Sequence, residues 1–186
     1  QLFAASTFSA AAILLVPQLA SANTITNSNF TVQTGTNGEI TSLQIGGDTY
    51  PTNYVMNATN APNQNTADHQ WVGELMFTYK LGTGAWTQAL SSKSADGRTV
   101  SQTGNTVNIT YQNSTNSAGI KNFKVDESYS LVSDYLKWGI TVTNTSTQTL
   151  EIGDFGLPLP FNEFFTAGNN DPIYETRVIT HSFIGN

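Results

Sequence analysis

A chain of 186 residues with seven basic and 13 acidic side chains, a formal charge of −6 and no cysteine excludes several classes of protein at once. It has no basic face for nucleic-acid phosphates, and disulfides, thiolate nucleophiles and cysteine-ligated zinc are ruled out. What remains is one domain's length of chain, polar through Asn, Thr, Ser and Gln rather than through charge, with ten Phe and seven Tyr to fill a core.

The N-terminus reads as a secretory leader. A short apolar run from Ala10 to Val16 is followed by Pro17 and by Ala20-Ser21-Ala22, the small-residue pattern of a signal-peptidase site. Residues 1–22 are therefore expected to be removed and residues 23–186 to form the folded domain. The apolar run is too short to cross a membrane, so no membrane partner is expected. The basic leader segment and initiating Met are missing and the C-terminus carries no stop signal, so the sequence is expected to be a fragment at both ends. Sequons at Asn29, Asn57, Asn108, Asn113 and Asn144 fit an extracellular, glycosylated protein. Alternation places Asn29 and Asn108 toward solvent. Asn144 falls on the apolar parity of its strand and is credible only where that strand has ended.

Alternating segments follow in order. Residues 29–34 and 39–45 are predicted strands around an Asn37-Gly38 hairpin signal. Residues 51–70 form a long polar loop, a length usually functional or disordered. Residues 71–81 are predicted as one strand with Trp71, Leu75, Phe77, Tyr79 and Leu81 on a single face. Residues 85–90 make a short partner after the Gly82–Gly84 turn, and 106–112 another strand. The strongest signal is the hairpin 123–142. Val125, Tyr129 and Leu131 alternate on one arm, and Leu136, Trp138 and Val142 on the other. A two-residue loop at Ser133-Asp134 pairs Leu131 with Leu136, Tyr129 with Trp138 and Val125 with Val142. A strand at 150–154 follows, and another strand-like run at 173–184. No convincing helix or internal repeat is present. Strands punctuated by turns, without crossover helices, predict an all-β antiparallel sandwich, with a barrel or jelly roll as the other architecture.

From Gly153 to Phe165 the chain is crowded with Phe and Leu and stiffened by Pro158 and Pro160. Such a segment needs a surface to lie on, either a sheet edge of its own domain or a further domain of the same chain.

Candidate chemistry is sparse. Glu127 breaks the apolar parity of its strand, and burying a lone carboxylate is costly. It lies either on a solvated concave face, with Tyr129 and Trp138 as sugar-stacking platforms, or at a rim or against a cation, with Tyr129 and Trp138 as plain core. Asp68, His69 and Trp71 close the long loop with Glu74 just beyond. They offer either general acid–base chemistry or an ordinary polar loop end. His181 is the only other histidine, so no metal site is expected. Asp154 and Glu163 flank the Pro-rich segment, and a carboxylate pair of glycosidase type is open there. Gly82-Thr83-Gly84 lacks the phosphate-loop and dinucleotide patterns, so no cofactor is expected.

The stretches NGEITSLQI at 37–45, YPTNYVMN at 50–57, WVGELMF at 71–77, LKWGITVTNTS at 136–146 and GDFGLPLPFN at 153–162 resemble the N-terminal part of large secreted fungal proteins of an uncharacterised, glycosidase-like family. That family looks like a galactose-mutarotase-type β-supersandwich followed by an (α/α) six-hairpin toroid. The resemblance implies a carbohydrate partner and a following domain of the same chain. In related architectures the toroid supplies the catalytic carboxylates, so no catalytic residue is placed on this chain. Three functions are open: an accessory, substrate-shaping domain of a secreted glycoside-hydrolase-like enzyme; a carbohydrate-binding or cell-wall adhesion module; and a mutarotase-like sugar epimerase using His and Glu.

Overall fold

Period-two alternation becomes strand wherever apolar residues recur on one side. The computed structural model describes residues 23–48, 53–55 and 71–161. Its strands are β1 (Asn23–Thr26), β2 (Phe30–Thr34), β3 (Ile40–Ile45), β4 (Met76–Leu81), β5 (Thr87–Leu90), β6 (Arg98–Thr103), β7 (Thr106–Tyr111), β8 (Phe123–Val132), β9 (Tyr135–Asn144) and β10 (Leu150–Gly156). They form three antiparallel sheets, ordered β1-β2-β3, β10-β4-β5 and β6-β7-β8-β9. The fold is all-β, a sandwich with no barrel closure. The only helical turns among the described residues are single 3₁₀ turns at Ser91–Lys93 and Ala95–Gly97.

The β8–β9 hairpin has the predicted register: Leu131 opposite Leu136, Tyr129 opposite Trp138, Val125 opposite Val142. Val132 pairs with Tyr135, so the loop is Ser133-Asp134 alone. Ser133 has φ +53°, the positive φ that mirror-image hairpin turns need at their first central residue. Along β8 every second residue from Phe123 to Leu131 is buried. All three sheets contribute to one core, with Val32, Phe77, Val107, Phe123 and Tyr129 almost fully enclosed. Each such side chain contributes about 1.5–3 kcal/mol through burial.

Three expectations are corrected. The predicted strand 71–81 begins only at Met76, because Gly73 takes φ +94° and Glu74 N–H closes a turn on the Trp71 carbonyl at 3.0 Å. Two strands were not foreseen. In β1 only Ile25 is apolar, and in β6 only Val100, so neither shows alternation.

The sandwich is open along one side. On β10, Leu150, Ile152 and Phe155 pair with Leu81, Tyr79 and Phe77, which point inward, yet Ile152 is 37% and Phe155 44% exposed. On β9, Val142 shares the inward parity and is 38% exposed. Leu157, Leu159 and Phe161 continue the exposed apolar row, and Phe161 touches the rest of the fold through an isolated bridge to Val55. The described part of the Pro-stiffened segment thus leaves Phe155, Leu157, Leu159 and Phe161 uncovered.

Candidate functional site

Register and alternation converge on Glu127. It lies between Ile109 of β7 and Ile140 of β9, and its parity turns it into the interior, where it is 1% exposed. Tyr129, two residues on, faces the same way, and Trp138 stands opposite Tyr129. Glu127 Oε1 accepts the Tyr129 hydroxyl at 2.7 Å and the Trp138 Nε1–H at 2.8 Å. Oε2 accepts the Tyr111 hydroxyl, from the end of β7, at 3.2 Å. Three neutral donors thus surround a carboxylate with no cation bonded to it. This corrects the sequence reading: Glu127 is on no solvated face and at no rim, and it has no ion pair among the described residues. Its burial is tolerated because its lone pairs are occupied.

Each phenol has one proton and two acceptors within reach. Tyr111 Oη also lies 3.2 Å from the Asn37 carbonyl, in the β2–β3 turn. Tyr129 Oη lies 3.4 Å from the Gly73 carbonyl. Gly38 and Gly73 are needed there: both have positive φ, and a Cβ on either would strike the neighbouring phenol oxygen. The centre therefore ties the β6–β9 sheet to the two turns that close the opposite side of the core.

Burial sets the electrostatics. It pushes the Glu127 carboxyl up to about 7, against the lowering effect of bonds from Tyr129, Trp138 and Tyr111. Burial, then the charge of Glu127, raises both phenols well above their usual value. A second carboxyl, Glu74, is 3% exposed and accepts the Trp71 backbone N–H at 3.1 Å. Burial pushes it up to about 7, the Trp71 N–H opposes this, and nearby Glu39 reinforces it. Burial raises Glu39 as well. Glu39 Oε2, Arg98 Nη1 and Thr34 Oγ1 are buried with no hydrogen-bond partner among the described residues. Two enclosed carboxyl groups, Glu127 and Glu74, thus have pKa values raised to about 7, while Glu39 and Arg98 are half-buried and the Arg98 charge works against the rise at Glu39.

The structure unites Glu127, Tyr129 and Trp138, as the sequence suggested, but in other roles. Tyr129 is fully buried and stacks on nothing from outside; its ring lies 5.9 Å from that of Trp138 at 39°. Trp138 is only half-buried and packs against the core. Trp71 is 4% exposed, so its ring is a core element rather than a platform. Asp68, His69, Glu163, His181, Asn57 and the leader lie outside the described residues. Asn29, Asn108, Asn113 and Asn144 are all exposed, Asn144 as the last residue of β9. Tyr111, Glu39 and Arg98 were missed. Tyr111 sits on the apolar parity of β7 and reads as plain core; only its hydroxyl, one inward position along from the residue opposite an out-of-place Glu, signals a partner. Among the described residues no cluster of His, Cys, Asp or Glu suits a metal ion, and no helix is long and apolar enough to cross a membrane.

No curated protein and no solved structure matches the chain. A family model covers residues 41–186, which takes in β4 to β10 and every residue of the Glu127 centre. On that match the chain is a member of DUF5695, a family of unknown function.

Proposed function

We propose that the chain is an accessory, substrate-shaping β-sandwich domain of a secreted carbohydrate-active protein, without hydrolytic activity of its own. The observation that carries this reading is the open flank. Inward-facing Val142, Ile152 and Phe155 remain more than one-third exposed, where a free-standing sandwich would cover them. Such a flank suits a second domain of a longer chain, docked over β9, β10 and the segment from Gly153 to Phe165. The resemblance of residues 153–162 to glycosidase-like proteins supports carbohydrate as the substrate class.

A second reading, a carbohydrate-binding or adhesion module, is favoured by Trp138. Its Nε1–H is anchored on Glu127 while the residue stays only half-buried, and an anchored aromatic face suits the C–H face of a sugar. The epimerase reading depends on His69, outside the described residues, and is the least supported.

Affinity electrophoresis through a panel of soluble polysaccharides, run beside a glycoside-release assay, tests the proposal. The purified chain should be retarded by at least one polysaccharide and hydrolyse none, and Trp138→Ala should migrate unretarded. Hydrolysis by the chain alone sinks the accessory role. Absence of retardation in every polysaccharide sinks the carbohydrate assignment.

A further inference from the structure

The outer face of the β7-β8-β9 sheet carries a feature that the flank and the Glu127 centre do not explain. Asn108 of β7, Ser128 of β8 and Gly139 of β9 lie side by side in one cross-strand row. Gly139 contributes no side chain to it, and a Cβ there would come within 2.8 Å of Ser128 Oγ. The row therefore opens into a shallow groove of about 320 Å³, flanked by Thr110, Asp126 and Thr141. The volume is at the low end of small-ligand sites, ~300–1,000 Å³, enough for a sugar ring. Its lining mixes apolar surface with the Asn108 amide, the Thr110, Ser128 and Thr141 hydroxyls and the Asp126 carboxylate, which Thr110 and Lys124 already engage; the amide and hydroxyls can hydrogen-bond a polyhydroxylated ring.

The groove has no aromatic side chain in its lining, so a free sugar would gain little from stacking there. A sugar tethered beside it needs no such affinity, because the tether supplies a high effective concentration. The tether point is present: Asn108 lines the groove, is exposed and begins the sequon Asn108-Ile109-Thr110. Its carboxamide makes no hydrogen bond among the described residues. By contrast Asn29 Nδ2 donates to the Ser133 carbonyl at 3.0 Å, and Asn144 Nδ2 to the Gln148 carbonyl at 2.8 Å. Asn113 is exposed just past β7, with φ +53°.

We propose that Asn108 carries an N-linked glycan whose first sugar seats in this groove, so that the sheet's outer face is covered by the protein's own carbohydrate. The proposal rests on the secretory part of the reading above, not on ligand binding. In the modification, Asn108 Nδ2 attacks the anomeric carbon of a polyprenyl-pyrophosphate-linked oligosaccharide. The new bond is C–N. The anomeric C–O bond breaks, the pyrophosphate leaves with its electron pair, and Nδ2 gives up one proton. The step occurs on the extended chain, before Thr110 Oγ1 is taken up by Asp126, to which it donates at 2.7 Å in the fold.

The test uses the full chain behind a host secretion leader in a eukaryotic cell, so that it does not depend on the chain's own leader. Peptide-N-glycosidase release in heavy-oxygen water marks each occupied Asn as labelled Asp. Labelling at Asn108, lost in Thr110→Ala, is the expected result; an unlabelled Asn108 in secreted protein overturns the proposal. Seating is read separately, as the rate at which an endoglycosidase trims the glycan from native and from denatured protein. Several-fold slower trimming of the native protein is expected at Asn108, and faster native trimming in Gly139→Val, which fills the groove. Equal rates in native and denatured protein overturn the seat. Neither readout depends on added saccharide, so failure here and failure of the carbohydrate-binding reading are distinguishable.

Discussion

The indole Nε1–H of Trp138 reaches Glu127 Oε1 at 2.8 Å across the β8–β9 pair, although the residue opposite Trp138 is Tyr129 and the residue opposite Glu127 is Ile140. The bond is therefore diagonal, and the half-exposed indole reports on a buried acid. Protonation of Glu127 should change Trp138 emission with a midpoint near 7, and Glu127→Gln should abolish that titration. An unchanged titration in Glu127→Gln would assign the signal to another group.

Stability should fall with rising pH from about 4.5 to 7. Glu127 and Glu74 have folded pKa values of about 7, above the ordinary value of 4.5. Between the two values the folded state holds protons that the unfolded state has released, so stability is fully present below the ordinary pKa and is lost as pH rises through the folded one. Each group contributes a slope of about 1.4 kcal/mol per pH unit. Asp96 works in the opposite direction at more acid pH: bonds from Ser114 and Thr115 hold its carboxyl far below the usual range, so its contribution is lost only on strong acidification. Urea denaturation across pH 4 to 8 checks the sign. Glu127→Gln should remove its own share of the slope, about 1.4 kcal/mol per pH unit, and still accept bonds from Tyr129 and Trp138.

Removing either phenol hydroxyl should raise the Glu127 midpoint further, because each bond favours the charged form. Tyr129→Phe, which removes the 2.7 Å bond, should move it more than Tyr111→Phe, which removes one of 3.2 Å. Each should cost about 1–3 kcal/mol for the acceptors left without a donor. The Trp138 titration gives the order of the shifts, and a reversed order would mean that the longer bond carries the charge.

Strand existence and register on β8 and β9 were legible because period-two alternation is clean there and one slip would bury Lys137 and Asp126. The same alternation exposed Glu127 as an outlier. Its environment was not legible, because the donors come from three strands, Tyr111 on β7, Tyr129 on β8 and Trp138 on β9, at positions that also read as ordinary core aromatics. β1 and β6 were hidden for the converse reason: their neighbours supply the apolar contacts, so their own sequences need almost none. The turn at Val72–Gly73 was missed because Trp71 and Leu75 are both buried, as a continuous strand would have them, and nothing in the residue pattern records φ at Gly73.

Glycine substitutions separate backbone strain from collision with the centre. Gly47 and Gly38 both have positive φ, but a Cβ at Gly47 meets nothing, whereas at Gly38 it strikes Tyr111 Oη and comes within 2.9 Å of Ile109 Cδ1. Gly47→Ala should cost only the left-handed backbone penalty, about 1–2 kcal/mol. Gly38→Ala should cost more and also shift the Glu127 titration, since it displaces one of the donors. Equal thermal shifts for the two variants would show that the turn moves freely over Tyr111.

The open flank makes a prediction about the isolated chain. Phe155 stacks on Phe77 at 4.8 Å and 24°, with its other face uncovered. β9 is a ten-residue edge strand of its own sheet, with Lys137 as its one charged side chain. Long edges of this kind invite pairing with another chain. The purified chain should therefore associate with rising concentration in sedimentation experiments. Phe155→Thr combined with Ile152→Thr keeps strand propensity while removing apolar area from the flank, so it should shift the distribution toward monomer. Because both positions are more than one-third exposed in the wild type, the loss of folding stability should be modest, about 1 kcal/mol each. A wild-type chain that stays monomeric at every concentration would mean that Val142, Ile152 and Phe155 are tolerated in water as they stand, and the argument for a covering domain would lose its physical basis.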